Sequence, residues 1–93
     1  MNAAEAWRDC FARWPDELAK RGVIVTKFDE QIMFSNFLFS DNLLLIERQT
    51  PDTLGARQVI LAYESISALK IVDVIKLKAL AKLGFELHKG TTP

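Results

Sequence analysis

The sequence predicts a mainly β domain with flanking helices: a leading helix, a five-stranded small barrel, and a closing helix. Three observations predict it. Apolar residues near the start recur at helical spacing, residues 22–72 break into five short β-rich runs between turn formers, and a second helical pattern follows Asp73. The expected layout is one domain over residues 1–93, with 1–21 as N-terminal helix, 22–72 as barrel, 73–84 as C-terminal helix and 85–93 as a tail.

Each element has its own signal. Asn2 is placed to cap a helix whose Ala3, Trp7, Cys10, Phe11 and Trp14 share one face, while Asp9 and Arg13 form an i,i+4 pair on the other side. Pro15 interrupts it, and Asp16 and Glu17 begin a short continuation to Lys20 that Gly22 closes. Burying Trp7, Phe11 and Trp14 over the barrel contributes roughly 1.5–3 kcal/mol each.

The strands follow from Gly22. Val23–Phe28 is β-branched, and Asp29-Glu30-Gln31 reads as a turn. Ile32–Ser40 is a second strand, with Met33, Phe37 and Phe39 on one face and Phe34 and Leu38 on the other. Asp41-Asn42 is a tight hairpin turn of residue types that tolerate positive φ. Leu43–Gln49 is the third strand, residues 50–55 a loop rich in breakers, Ala56–Ala62 the fourth strand, residues 63–66 a short turn, and Ser67–Val72 the fifth strand. Five short strands leave two bare edges unless they close on themselves, hence the barrel. Asp73 then caps a helix through Leu83, ended by Gly84, with Val74, Leu77, Leu80 and Ala81 on one face and Lys78 and Lys82 on another.

Composition narrows the function classes. Apolar content of 49% excludes disorder. Twelve basic and twelve acidic side chains cancel, a balance that disfavours a dedicated nucleic-acid binder and favours self-association. Cys10 is the sole cysteine, so neither an internal disulfide nor a cysteine-based zinc site is expected. Charged residues in the first fourteen positions are incompatible with a secretory leader, and no apolar run is long enough to span a bilayer. Cytoplasmic residence and no membrane partner are therefore expected.

A helix followed by strands at this spacing resembles the Sm/LSm/Hfq group of Sm-like (SH3-like) small barrels. The Asp41 turn between Phe37-Leu38-Phe39-Ser40 and Leu43-Leu44-Leu45-Ile46 is similar to the family's second-to-third strand hairpin, and residues 63–67 resemble its last tight turn. The resemblance covers about Pro15 to Val72. It implies self-association, in which the fourth strand of one subunit pairs with the fifth of the next. Val59, Ile60, Leu61, Leu69 and Ile71 then lie at the interface of a homo-oligomeric ring of roughly five to seven copies. It also implies single-stranded RNA as a ligand. Ser35 stands where the family commonly has glycine, Leu44 and Leu45 where many members place asparagine, and Tyr63-Glu64 where the family has Arg-Gly or Lys-His. Those replaced residues line the family's RNA pocket.

Asn42, Tyr63 and Glu64 are the candidates for a pore-lining ligand contact, alongside turn and packing roles for the first two. Lys78 and Lys82, with Lys76 and Lys89, form a basic group that a ring would multiply into a positive band for phosphates; a solvated helix face is the plainer reading. Trp7 and Trp14 fit a buried face better than a base-stacking platform, and Cys10 shares that face as an inert thiol. His88, the one histidine, has no second histidine or cysteine pair with which to build a zinc site or a Ser-His-Asp triad. No glycine-rich phosphate loop exists. The expected function is an Sm-like ring-forming binding module, for single-stranded RNA or, alternatively, a scaffold that docks a protein partner. Catalytic residues, metal and cofactor are all expected to be absent.

Overall fold

A computed structural model describes residues 1–86. Helix α1 spans Ala3–Ala12, followed by strands β1 (Gly22–Thr26), β2 (Gln31–Phe34), β3 (Asn36–Phe39), β4 (Leu43–Glu47), β5 (Gln58–Ala62) and β6 (Ile66–Lys70). A 3₁₀ turn at Tyr63–Ser65 joins β5 to β6, and a second 3₁₀ segment covers Leu77–Leu83. The strands form two antiparallel three-stranded sheets, ordered β2-β1-β6 and β3-β4-β5. The mainly β class with a leading helix holds. The closed five-stranded barrel does not: among the described residues there are six strands in two sheets, and β5 and β6 do not pair with each other.

The extra strand comes from a break at Ser35. Burial falls on Ile32 and Phe34, then on Phe37, so the alternation changes parity across two successive exposed residues, Ser35 and Asn36. Both the backbone N–H and the hydroxyl of Ser35 donate to Glu47 O, at 2.8 and 3.3 Å. Asn36 Oδ1 accepts from the Phe37 N–H at 2.9 Å, satisfying a group that points away from β4. Phe34 and Phe37 therefore both face the core, whereas the strict alternation placed them on opposite faces; Met33 is exposed instead. Ser35 is the corner at which the chain passes from one sheet to the other.

Helix α1 begins as the sequence predicts. Asn2 Oδ1 accepts from the Glu5 N–H at 2.8 Å, and the Glu5 carboxylate accepts from the Asn2 N–H, a reciprocal capping box. Arg13 meets Asp9 at 3.3 Å. The expected continuation to Lys20 is absent. Pro15 bars Trp14 from helical backbone, and Trp14 Nε1 instead donates to Leu18 O at 3.0 Å, while the Leu18 N–H closes a single turn onto Pro15 O. Pro15 and Leu18 are buried, so this connector belongs to the core.

Gly22 is accordingly a strand residue and not a helix terminator. A β-carbon there would lie 2.7 Å from the backbone oxygen of Lys70, so only a residue without a side chain lets β6 lie against β1 at this point. The hairpin at Asp41-Asn42 is present, but neither residue has positive φ; Asp29, at φ 64°, is the one non-glycine that does among the described residues. The Ser40 hydroxyl closes the hairpin, accepting from the Leu43 N–H at 3.1 Å and bonding Leu43 O at 3.0 Å.

The core holds Phe11, Ile24, Ile32, Phe34, Phe37, Leu44, Ile46, Tyr63 and Ile66, contributed by α1, both sheets and the 3₁₀ turn. Its centre is aromatic. Phe11 stacks on Trp14 at 5.6 Å between centroids, and each meets Phe37 edge-on at 5.0 Å. Phe34, from the other sheet, lies 6.1 Å from Phe37.

The C-terminal helix of residues 73–84 is replaced by the 3₁₀ segment, which begins four residues later and has no side-chain cap. Val72, Val74 and Ile75 are poor helix formers, and Asp73 is drawn off as a bidentate partner of Arg21. No face of the segment is buried, so packing adds nothing to hold an α-helix. Gly84 does end it, at φ 99°. His88, Lys89 and most of the expected tail lie outside the described residues.

Replacing Phe11 with alanine empties the centre of the aromatic group and is expected to cost about 3–5 kcal/mol. Replacing Leu54, which is 93% exposed, stays within about 0.5 kcal/mol. Urea unfolding followed by tryptophan fluorescence checks both.

Candidate functional site

Each sheet has two edge strands; β2 and β3 meet at the Ser35 corner, and β5 and β6 lie at the far edges. Among the described residues β5 is hydrogen-bonded only to β4, and β6 only to β1. Alternate residues of an antiparallel strand direct their N–H and C=O to the same neighbour. Arg48 N–H donates to Arg57 O at 2.8 Å, which fixes the phase: Val59 and Leu61 bond β4, while Gln58, Ile60 and Ala62 direct their backbone groups to the open side. On β6 the Lys27 N–H donates to Ser65 O, and the register with β1 shifts past Ser67, a bulge. Ala68 and Lys70 then face β1, and Leu69 faces the open side.

The expected interface residues fall on these margins unevenly. Ile60 is 63% exposed, whereas Val59, Leu61 and Leu69 are half-buried and pack against the core. Ile71 follows the end of β6 and is also half-buried. Strand β5 carries no charge and no proline, the usual protections of an edge.

The candidate ligand residues divide into two groups. Asn42, Tyr63 and Glu64 meet at a pocket of about 210 Å³ between the start of α1 and the hairpin, together with Glu5, Arg8 and Asp41. Tyr63 contributes little accessible surface, being 1% exposed, and its hydroxyl donates to Ser40 O at 2.6 Å. Its part there is to tie the 3₁₀ turn to the hairpin. Burial raises the Tyr63 hydroxyl pKa above the ordinary tyrosine value, Asp41 adds to the rise, and Arg8 opposes it. Glu5, Asp41 and Glu64 outnumber Arg8, which makes the pocket a poor place for a phosphate. Among the described residues no group of three or more His, Cys, Asp or Glu is arranged to hold a metal ion.

Lys78 and Lys82 lie elsewhere, in a groove of about 400 Å³ with Glu17, Val74, Ile75, Lys76 and Ala79. Lys82 Nζ donates to Glu17 Oε1 at 2.8 Å, a bond that lowers the Glu17 pKa and raises that of Lys82. The sequence offered these lysines as one face of a helix; what gathers them is the attachment of the 3₁₀ segment to the connector after α1.

A third site escaped the sequence reading. Arg21, Ser35, Arg48, Gln49 and Thr50 line a cleft of about 200 Å³ at the sheet corner, floored by Phe34 and Met33. Both arginines are engaged, Arg21 with Asp73 and Arg48 with Thr50 O at 3.1 Å. The only signal for it was the polar Ser35 inside an apolar run. Cys10 is half-buried, and desolvation followed by Asp9 raises its thiol pKa, which disfavours the reactive thiolate. No described helix is long and apolar enough to cross a membrane.

No family model, curated protein or solved structure matches the chain.

Tyr63 is the only tyrosine, so phenolate absorbance reports on it alone. Its titration midpoint is expected above that of the urea-unfolded chain. Because the folded value is the higher one, the stabilisation from this group is complete below the ordinary tyrosine pKa of about 10 and is lost as pH rises through the folded value. Coincident folded and unfolded midpoints would contradict the buried, hydrogen-bonded placement.

Proposed function

We propose that this chain is a non-catalytic, Sm-like assembly module whose copies join margin to margin, β5 of one against β6 of the next, to close a homo-oligomeric ring. The supporting observation is the strand order. The two sheets run β2-β1-β6 and β3-β4-β5; their inner edges, β2 and β3, are successive lengths of chain joined at the Ser35 corner, and their outer edges are β6 and β5. On this reading the two sheets are an opened small barrel that a neighbour completes. An interface between two different surfaces of one chain is heterologous, and it closes into a ring when its rotation divides a circle. The uncharged β5, with Ile60 exposed upon it, suits such pairing. Serving as a scaffold that docks a protein partner is the role this architecture supports best, given balanced charge and the acidic pocket beside Tyr63.

Native mass spectrometry at micromolar concentration is expected to show one discrete oligomer larger than a dimer. Proline at position 60 removes an N–H directed to the open side and leaves the β4 ladder intact. Ile60→Pro is thus expected to give a monomer with unchanged circular dichroism. A monomeric unmodified protein would end the proposal.

A second reading, single-stranded RNA bound through phosphates, draws on Lys76, Lys78 and Lys82 around one groove, which a ring would repeat. Short A- or U-rich RNA should then bind at about 50 mM salt, weaken steeply as salt rises, and lose affinity in Lys78→Ala. No binding at the low salt removes this reading without touching the first.

A further inference from the structure

Between Ile71 and Phe85 not one residue is buried, although the stretch includes Val72, Val74, Ile75, Leu77, Leu80 and Leu83. Val74 is fully exposed and Leu77 is 72% exposed. Isolated exposed apolar residues need no explanation, but a contiguous set of them does. A second such set lies on the outer face of the β3-β4-β5 sheet. There Leu38, Phe39, Leu43, Leu45 and Ile60 line a groove of about 220 Å³, and Leu38 is 67% exposed.

The two surfaces have opposite charge. Residues 36–47 hold Asp41 and Glu47 and no base, whereas residues 71–85 hold Lys76, Lys78 and Lys82 against one acid, Asp73, which Arg21 of the same chain already holds. Glu47 lines the continuation of the apolar groove beside Leu38 and Leu45, and Asp41 stands at the hairpin tip. Within its own chain the segment is fastened elsewhere, through Asp73 to Arg21 and Lys82 to Glu17, and no residue of its groove belongs to β3, β4 or β5.

From this we infer that residues 71–85 of one copy seat on the outer face of the β3-β4-β5 sheet of a second copy. Val74 and Leu77 cover Leu38, Leu43 and Ile60, and Lys78 faces Glu47. The contact rests on the assembly reading above and deepens it. Margin pairing orders the strands of neighbouring copies, and the segment clamps one copy to the next across an apolar face that β pairing leaves open.

Disulfide trapping tests it in a Cys10→Ser background, which removes the sole native thiol. Full-length Leu38→Cys and Leu77→Cys proteins are mixed in equal amounts at micromolar concentration under mild oxidation. The mixed disulfide is expected in several-fold excess over either homodimer. Glu47→Lys in the Leu38→Cys protein should reduce it, and Lys78→Glu in the Leu77→Cys protein should restore it. Dominance of either homodimer, or no disulfide at all, overturns the inference. Native mass spectrometry of the same mixtures before oxidation separates the two readings. Oligomers without the mixed disulfide sink the segment contact alone, and monomers sink the assembly reading together with it.

Discussion

The packing of Phe11 and Trp14 against Phe37 is the constraint on which the rest of the structure depends. Two sheets that do not close on each other leave an apolar interior in need of a lid, and α1 supplies it with aromatic rings. Phe34 belongs to one sheet and Phe37 to the other, and both touch Phe11 of α1 and Trp14 of the connector after it, so a single cluster fixes the angle between the sheets and the seat of the helix together. Edge-on and stacked rings add about 0.5–1.5 kcal/mol per pair beyond burial of their area. Lys20 closes the rim, its ammonium 5.3 Å from the Phe37 centroid. Without this cluster the corner at Ser35 would have nothing to bend around.

What the sequence made legible was what depends on local chemistry. Asn2 announced the start of α1, the i,i+4 spacing announced the Asp9–Arg13 pair, and β-rich runs located the strands to within a few residues. Tyr63 was readable both as a candidate ligand contact and as a packing residue at the head of a tight turn. The misreadings arose where a distant partner overrules a local preference. Asp73 has the look of a helix cap, but Arg21, far away in sequence, takes its carboxylate. The interval Asp16–Lys20 has an acidic first turn, yet burial of Leu18 and the reach of the Trp14 indole hold it in another shape. Alternation through residues 32–40 could not show the parity change, because it comes from two hydrogen bonds to Glu47 and one from Phe37 to Asn36. Of the candidate site, the two groups of residues were readable and what surrounds each was not. Asn42 and Glu64 meet beside the α1 start, while Lys78 and Lys82 gather around Glu17.

Side-chain hydrogen bonds close the two longest turns of the strand framework. In the connection between β4 and β5, Asp52 Oδ1 accepts from the Leu54 and Ala56 N–H groups, both at 2.8 Å, and Gly55 takes the positive φ the turn requires. The backbone bond to Ala56, reinforced by that to Leu54 and by Arg48, keeps the Asp52 pKa below the ordinary carboxylate value. Thr26 does the same for the turn after β1: its buried hydroxyl accepts from Phe28 and Glu30. Apolar residues at these tips, Phe28 and Leu54, are exposed on backbone that is already satisfied.

The polar anchors of the C-terminal stretch differ in kind from the packing that joins the helix to the sheets. Arg21–Asp73 and Glu17–Lys82 are solvent-exposed ion pairs, whereas the helix and sheets are joined through rings and aliphatic groups shielded from water. Dissolved electrolyte screens the former, over a Debye length of about 8 Å at physiological ionic strength, and scarcely affects the latter. One end of the molecule therefore answers to the ionic composition of its surroundings while the other is indifferent to it, and a saline environment would loosen the arm without disturbing the body that carries it.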